Sequence, residues 1–381
     1  MMGKKLALII VPSLGGGGQE RMAINTYNAL KDWYDVKIVI FDSKTNEYKQ
    51  DTDVLNINVP SGKGILMRVI NQIKRSHTLL KLKKNLKPSV SYSIGNTANI
   101  TNALSKHKEA VVTSIRNYDN VGNNWIDGFV YKRSDAVLCI SSGIKKKFDK
   151  LFPKYENKSV VVYNGLDLPV IRSLSQAHTS FDDFDTRNYI VTMGRLNPVK
   201  GYQFLIPAFA HACSVLTDEK LLFIGKGEME AELKDLAKEH GIQDRVVFLG
   251  FKNNPYEYLR DADAFVMSSL SEGFCNAIIE AMTCGLPIVS TNSFSGPQEI
   301  LGNTDNREIS DIEMTEFGIL TPRFSGVGDE EHIRMLGDAI IQIVNDKQLN
   351  SKYRQISKKR AEEFSLSKYG ENIRALFDRF N

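Results

Sequence analysis

Two cations stand five residues apart in Gly194-Arg195-Leu196-Asn197-Pro198-Val199-Lys200-Gly201, directly after an apolar run of strand length. Arginine offers a planar fork of donors and lysine a point charge, so a Pro- and Gly-shaped loop carrying both suits a diphosphate. Further along, Ser271-Glu272-Gly273-Phe274-Cys275-Asn276 runs into Ala277-Ile278-Ile279-Glu280, which sets the two glutamates eight residues apart. Glu272 falls in a Gly-containing loop and Glu280 just over one turn into a helix expected to begin near Asn276, so both can face the same cleft. Carboxylates accept hydrogen bonds from sugar hydroxyls, and the first amides of a helix support anionic or polar groups. The combination points to a ligand that carries both a sugar and a diphosphate.

Two glycine turns add candidate contacts. Gly15–Gly18 lies between an apolar run and a helix starting near Gln19, where backbone N–H groups can approach an anion, and Gly16 and Gly17 are its candidate residues. The turn is not a dinucleotide fingerprint: G-x-G-x-x-G laid from Gly15 meets Glu20, and laid from Gly16 it meets Arg21, so nicotinamide chemistry loses its main support. Ile224-Gly225-Lys226-Gly227-Glu228 closes a later strand and makes Gly227 a second candidate. Asp261-Ala262-Asp263 has the D-x-D form of some metal sites, but Asp263 immediately precedes a buried-strand pattern, as Asp135 does in the first half, so a metal role is not expected. Cys139, Cys213, Cys275 and Cys284 form no C-x-x-C pair, which indicates neither a zinc site nor a disulfide framework and suits a reducing compartment.

The elements that must position these residues alternate between strand-length apolar runs and helical patterns, the signature of parallel α/β sheets. Strands are expected at 6–11, 36–41, 54–57, 90–93, 110–115, 136–140 and 160–162, and again at 189–193, 221–224, 246–249, 264–267, 287–290 and 318–320. Two such sets imply two doubly wound domains: 1–170 and 187–365, joined by a polar linker at 171–186, with a helix in 366–381 expected to cross back to the first. The apolar run Leu6–Val11 is short and is followed by Pro12 and four glycines, so it reads as a first strand rather than a signal segment. No uninterrupted apolar stretch approaches the roughly 18 to 20 residues of a membrane span.

Charge is distributed unevenly over a chain of 381 residues with net charge +4. Residues 1–170 hold 26 Lys and Arg against 14 Asp and Glu, a net of +12, and no acidic residue stands between Asp53 and Glu109. Such a surface suits an anionic partner. The stretch 63–87 mixes apolar residues with cations, as in a core-packed helix with a solvated basic face, or in one that lies against anionic lipid or a diphospholipid acceptor. Lys74, Arg75, Lys83 and Lys84 are the cations expected to matter most there. No aromatic interleaving or recognised motif accompanies the charge, so nucleic acid is not expected as a partner.

With these motifs in place, the chain resembles the retaining GT-B glycosyltransferases of glycosyltransferase family 4. The likeness rests on the glycine loop at 15–18, VYNGLD at 162–167, GRLNPVKG at 194–201, the I-G-x-G-E turn at 224–228, the E-x7-E pair Glu272 and Glu280, and GLPIVST followed by SGPQEIL. It implies an α/β fold of two Rossmann-like domains facing a central cleft, retention at the anomeric carbon, and no metal or other cofactor besides the nucleotide-sugar co-substrate. It also implies that Arg195 and Lys200 hold the donor diphosphate, Glu280 the ribose hydroxyls, and Glu272 with the amides of Phe274, Cys275 and Asn276 the donor sugar. One departure stands out. Many relatives carry a histidine after the strand matching 110–115, whereas this chain has Arg116-Asn117, which become the acceptor-side candidates, and no catalytic histidine is carried over.

The expected function is transfer of a hexose or N-acetylhexosamine from a UDP-linked donor to a growing, lipid-linked glycan of a cell-surface polysaccharide, at the cytoplasmic face of the membrane. The alternatives are a GT-B nucleotide-sugar epimerase, which needs no acceptor, and a non-catalytic glycan- or nucleotide-binding scaffold, which turns over no donor.

Overall fold

Apolar runs such as Leu6-Ala7-Leu8-Ile9-Ile10-Val11 form strands covered on both faces, which is where a parallel sheet buries its side chains. The computed structural model describes residues 4–15, 18–42, 53–122, 124–177, 188–302, 307–326 and 329–380. These fall into two units, Met1–Gly165 with Leu366–Asn381, and Leu166–Ser365. In the first unit the order is β1 (Leu6–Val11), α1 (Gly18–Leu30), β2 (Asp35–Ile40), β3 (Val54–Asn56), α2 (Ile65–Leu86), β4 (Val90–Ser93), α3 (Asn96–Leu104), β5 (Ala110–Ile115), α4 (Trp125–Arg133), β6 (Ala136–Cys139), α5 (Ser142–Leu151) and β7 (Ser159–Val161). The strands lie in the order β3-β2-β1-β4-β5-β6-β7, all parallel. The winding reverses between β1 and β4, so the crevice of this sheet lies at their carboxyl ends.

The second unit repeats the scheme with α6 (Leu168–Ser175), β8 (Tyr189–Met193), α7 (Tyr202–Ala212), β9 (Lys220–Ile224), α8 (Glu230–Glu239), β10 (Val246–Gly250), α9 (Tyr256–Asp261), β11 (Ala264–Met267), α10 (Asn276–Thr283), β12 (Ile288–Thr291), α11 (Pro297–Leu301), β13 (Glu313–Met314), β14 (Ile319–Thr321), α12 (Glu330–Asn345) and α13 (Lys347–Ala361). Its order is β10-β9-β8-β11-β12-β14-β13, and only β13 runs antiparallel. Here the reversal falls between β8 and β11, which brings the loop after Met193 beside the loop after Met267. The last helix, α14 (Leu366–Asp378), belongs to the first unit and packs on α1, with Thr26 Oγ1 and Tyr369 OH 2.6 Å apart and Tyr34 OH donating to Asp378 Oδ1 at 2.6 Å.

Three readings of the sequence need correction. The polar linker assigned to 171–186 is helical in its first part: α6 buries Leu168, Ile171 and Ser175, its N-terminus is capped by Asp167 accepting from Val170 N at 3.2 Å, and it packs on α9 and α10. The second unit accordingly begins at Leu166, while residues 178–187 lie outside the described residues. Strand β13 is only two residues long and carries no apolar run to reveal it. Finally, two of the four cations assigned to a basic surface are internal. Arg75 donates from Nε to Val59 O at 2.9 Å and lies 4.8 Å from the Phe41 ring centroid. The Lys83 side chain is wholly buried and meets Glu109 at 2.7 Å and Asn102 Oδ1 at 2.6 Å. Burial pulls the Lys83 ammonium below the ordinary lysine range, with the Glu109 carboxylate opposing that shift.

Candidate active site

The loop after β8 is stitched to the turn after β9 by backbone bonds from Leu196 N to Lys226 O and from Met229 N to Leu196 O, both 3.1 Å. Gly227 has a packing reason to be glycine, because a Cβ there would stand 2.1 Å from Leu196 O. On the other side, Gly201 has a φ of +64°, and a Cβ would stand 2.0 Å from Ser268 O, so only glycine lets the loop close against the end of β11. That closeness carries Lys200 across the switch point. Its Nζ donates to Glu272 Oε1 at 2.7 Å, and Ser269 Oγ donates to the same oxygen at 2.7 Å. The two side chains are 22% and 14% exposed, so the pair is mostly desolvated but open to an incoming group. Burial works against the Lys200 charge, yet Glu272 and Tyr202 outweigh it and hold the ammonium above the ordinary lysine range. Arg195 lies in the same loop with an exposed side chain that makes no hydrogen bond or ion pair among the described residues.

Past Glu272 the chain turns into α10 through Cys275, a non-glycine residue at φ 61°. Ser295 Oγ donates to Gly273 O at 2.9 Å and pins this turn, while Phe274 and Cys275 are buried. Burial pushes the Cys275 thiol well up, so it stays neutral beside Glu272 and Lys200. Asn276 opens α10, and Glu280 sits one turn in, buried, accepting from Tyr256 OH at 3.0 Å. Ser269, Ser295 and Tyr256 are supporting residues that sequence reasoning missed. The run Ser268-Ser269-Leu270-Ser271 carried a signal, since serines closing a buried strand must find partners, but nothing in the sequence singled out Tyr256.

In the first unit, Arg116 Nη2 donates to Asn164 Oδ1 at 2.5 Å, which joins the end of β5 to the segment after β7. Asn117 Oδ1 accepts from Asp119 N at 2.9 Å and so caps the short turn Tyr118–Asn120. Gly16 and Gly17 lie outside the described residues. The D-x-D pair has other partners: Asp261 pairs with Arg260 at 2.6 Å, and Asp263 Oδ2 accepts from Tyr189 N at 3.1 Å. Asp135 Oδ2 accepts from Val111 N at 2.8 Å in the same manner, so the Asp-Ala that enters β6 and β11 ties each strand to its neighbour. Among the described residues no group of three His, Cys, Asp or Glu side chains is placed to hold a metal ion.

Comparison with known proteins adds the lineage. The model for Glycosyltransferase Family 4 matches residues 16–169, and that for Glycosyl transferases group 1 matches residues 176–316. A protein of Campylobacter jejuni, N-acetylgalactosamine-N,N'-diacetylbacillosaminyl-diphospho-undecaprenol 4-alpha-N-acetylgalactosaminyltransferase, is 27% identical over 378 residues, covering 94% of this chain and 96% of its own. The UDP-Gal:alpha-D-GlcNAc-diphosphoundecaprenol alpha-1,3-galactosyltransferase of Escherichia coli is 24% identical, covering 94% and 93%. A crystal structure of Anabaena HepE in complex with UDP and glucose superposes with a TM-score of 0.77 at 19% identity, covering 98% of this chain and 100% of that one. With one family model on most of each unit, and relatives aligned over nearly its full length, this chain is a member of glycosyltransferase family 4 with the GT-B fold.

Proposed function

We propose that the chain transfers a hexose or N-acetylhexosamine from a UDP-linked donor to a lipid-linked glycan, with retention of anomeric configuration. The observation that carries this reading is the Lys200–Glu272 contact of 2.7 Å, beside the start of α10 and at the point where the strand order reverses. Arg195 and Lys200 take the donor diphosphate and stabilise the charge that develops as the glycosidic bond breaks. Glu272 and the amides of Phe274, Cys275 and Asn276 hold the sugar, and Glu280 holds the ribose. The leaving diphosphate takes the acceptor proton, so no side-chain base is needed. The Campylobacter jejuni and Escherichia coli relatives are both named for diphospho-undecaprenol substrates, which supports a lipid-linked acceptor. A thermal-shift screen of nucleotide sugars tests donor use: the true donor at 100 times its dissociation constant stabilises by about 2.7 kcal/mol. Stabilisation by none of them contradicts the reading.

The same reading needs no metal. The bonds from Asp261 to Arg260 and from Asp263 to Tyr189 N support a structural role for that pair. Activity is therefore expected to survive EDTA, and Asp263→Asn to lower stability while leaving donor affinity in place. Loss of activity in EDTA that Mn²⁺ or Mg²⁺ restores contradicts metal independence.

We further assign the first unit to contact with an anionic membrane surface. In place of Arg75 and Lys83, the support comes from the exposed cations Lys63, Arg68, Lys74 and Lys81 together with apolar side chains beside them. Ile65 and Leu66 on α2 are 82% and 73% exposed, and Trp125 on α4 is 81% exposed; α2 and α4 both pack on α3. Among the described residues no helix is long and apolar enough to cross a membrane. Because burying one such side chain contributes about 1.5–3 kcal/mol, Leu66→Ser with Trp125→Ser is expected to weaken binding to phosphatidylglycerol vesicles about tenfold or more. Equal sedimentation of the wild type with neutral and anionic vesicles at low salt contradicts the assignment.

A further inference from the structure

At the end of the first sheet opposite its crevice, where β1, β4 and β5 begin, a pocket of about 460 Å³ is ringed by Lys5, Lys84, Lys87, His107 and Lys108. None of these five side chains has an ion pair or hydrogen bond among the described residues. Among the described residues the one carboxylate in the wall, Glu109, is neutralised by buried Lys83. Four uncompensated ammonium groups around one concavity repel one another, and an anion placed among them relieves that repulsion. Lys84 and Lys87 also complement the carbonyl end of α2, but that role accounts for neither Lys5 nor Lys108. Lys87 holds its place at φ 50°, a conformation that favours glycine at a helix end. Pro88 and Phe380 supply an apolar wall, and the volume falls within the range of about 300–1,000 Å³ typical of small-molecule sites, more than a bare phosphate needs.

We propose that this pocket binds a phosphate ester with a small organic substituent. It is separate from the sugar-transfer chemistry, since Arg116 and Asn117 lie after the carboxyl end of β5 and the pocket precedes its amino end. It is also separate from the apolar end of α2: that helix has 22 residues, and at 1.5 Å per residue Ile65 and Leu86 stand about 32 Å apart.

Amine labelling of the full chain, read residue by residue by mass spectrometry, tests the site. The probes are sn-glycerol 3-phosphate, phosphatidylglycerol vesicles and neutral vesicles, each against sodium chloride of equal ionic strength, with Lys238 on α8 as the reference lysine. A probe at twice its dissociation constant leaves about a third of the sites open, so labelling of Lys84, Lys87 and Lys108 is expected to slow about threefold while Lys238 is unchanged. Protection by glycerol phosphate in solution identifies a soluble ester as the ligand, and protection by phosphatidylglycerol vesicles alone identifies a lipid headgroup. In the Lys87→Gln, Lys108→Gln variant, protection of Lys84 is expected to disappear. Equal labelling with phosphate probes and with chloride, or undiminished protection of Lys84 in that variant, overturns the proposal.

Discussion

Lys200→Ala is expected to lower turnover about 10²- to 10³-fold, the effect of removing one preorganised donor from a site of developing charge. Lys200 is held against Glu272, and its charge is secured by that carboxylate despite burial. An entering diphosphate meets an ammonium already in place, with its stem lying along Gly194, where a Cβ would come within 3.1 Å of Lys200 Cε. Contacts that strengthen as the bond breaks lower the barrier more than they tighten donor binding. Arg195→Lys should not restore full activity, because a point charge cannot reproduce a fork of donors. Glu280→Ala should act mainly on donor KM, since a ribose contact is made about equally before and during bond cleavage. Near wild-type turnover in both Lys200→Ala and Arg195→Lys would leave Lys200 a structural partner of Glu272 and Arg195 a surface charge.

Glu109→Ala is expected to destabilise the first unit by about 3–5 kcal/mol, because it removes the counter-charge of buried Lys83, whose ammonium must then stay uncompensated in the interior or give up its proton. The side chains of Lys83 and Glu109 are 0% and 1% exposed, and Asn102 and Ser91 complete the network. Both tryptophans of the chain, Trp33 and Trp125, lie in the first unit, so their fluorescence follows its unfolding. With a urea dependence of about 1–3 kcal/mol per molar, the midpoint should fall by roughly 1–3 M or more. Replacing both partners together, Lys83→Met with Glu109→Leu, should recover most of the loss, since two well-packed apolar groups leave no charge stranded. An unchanged midpoint in Glu109→Ala would mean that the pair is not buried as described.

How much of this was legible in the sequence differs between backbone and side chain. The strands were readable because parallel strands buried on both faces are continuous apolar runs, and their ends moved by at most one residue. Helix α6 was read as linker although Asp167 and Pro169 signal a helix start, because the polar residues from Ser173 onward outweighed its three buried positions. The glycine loops and the two glutamates could be found from spacing. That Lys200 meets Glu272 could not, since the contact joins residues 72 apart across a switch point that only the sheet order creates. The inward turn of Arg75 and Lys83 was equally hidden: on a helix rich in cations, composition does not say which face meets the sheet.

A nucleotide sugar is expected to be cleaved here only to glycosylate an acceptor, and UDP release measures that coupling directly. Wild-type protein, given the donor identified by thermal shift and an undecaprenyl-diphosphate-linked sugar, is expected to release UDP in step with the appearance of a lipid one sugar longer. Release should fall to a slow hydrolytic background without the acceptor and collapse with Lys200→Ala. Rapid conversion of the donor at the same rate with and without acceptor, giving an isomeric nucleotide sugar and no lengthened lipid, would contradict acceptor-dependent transfer.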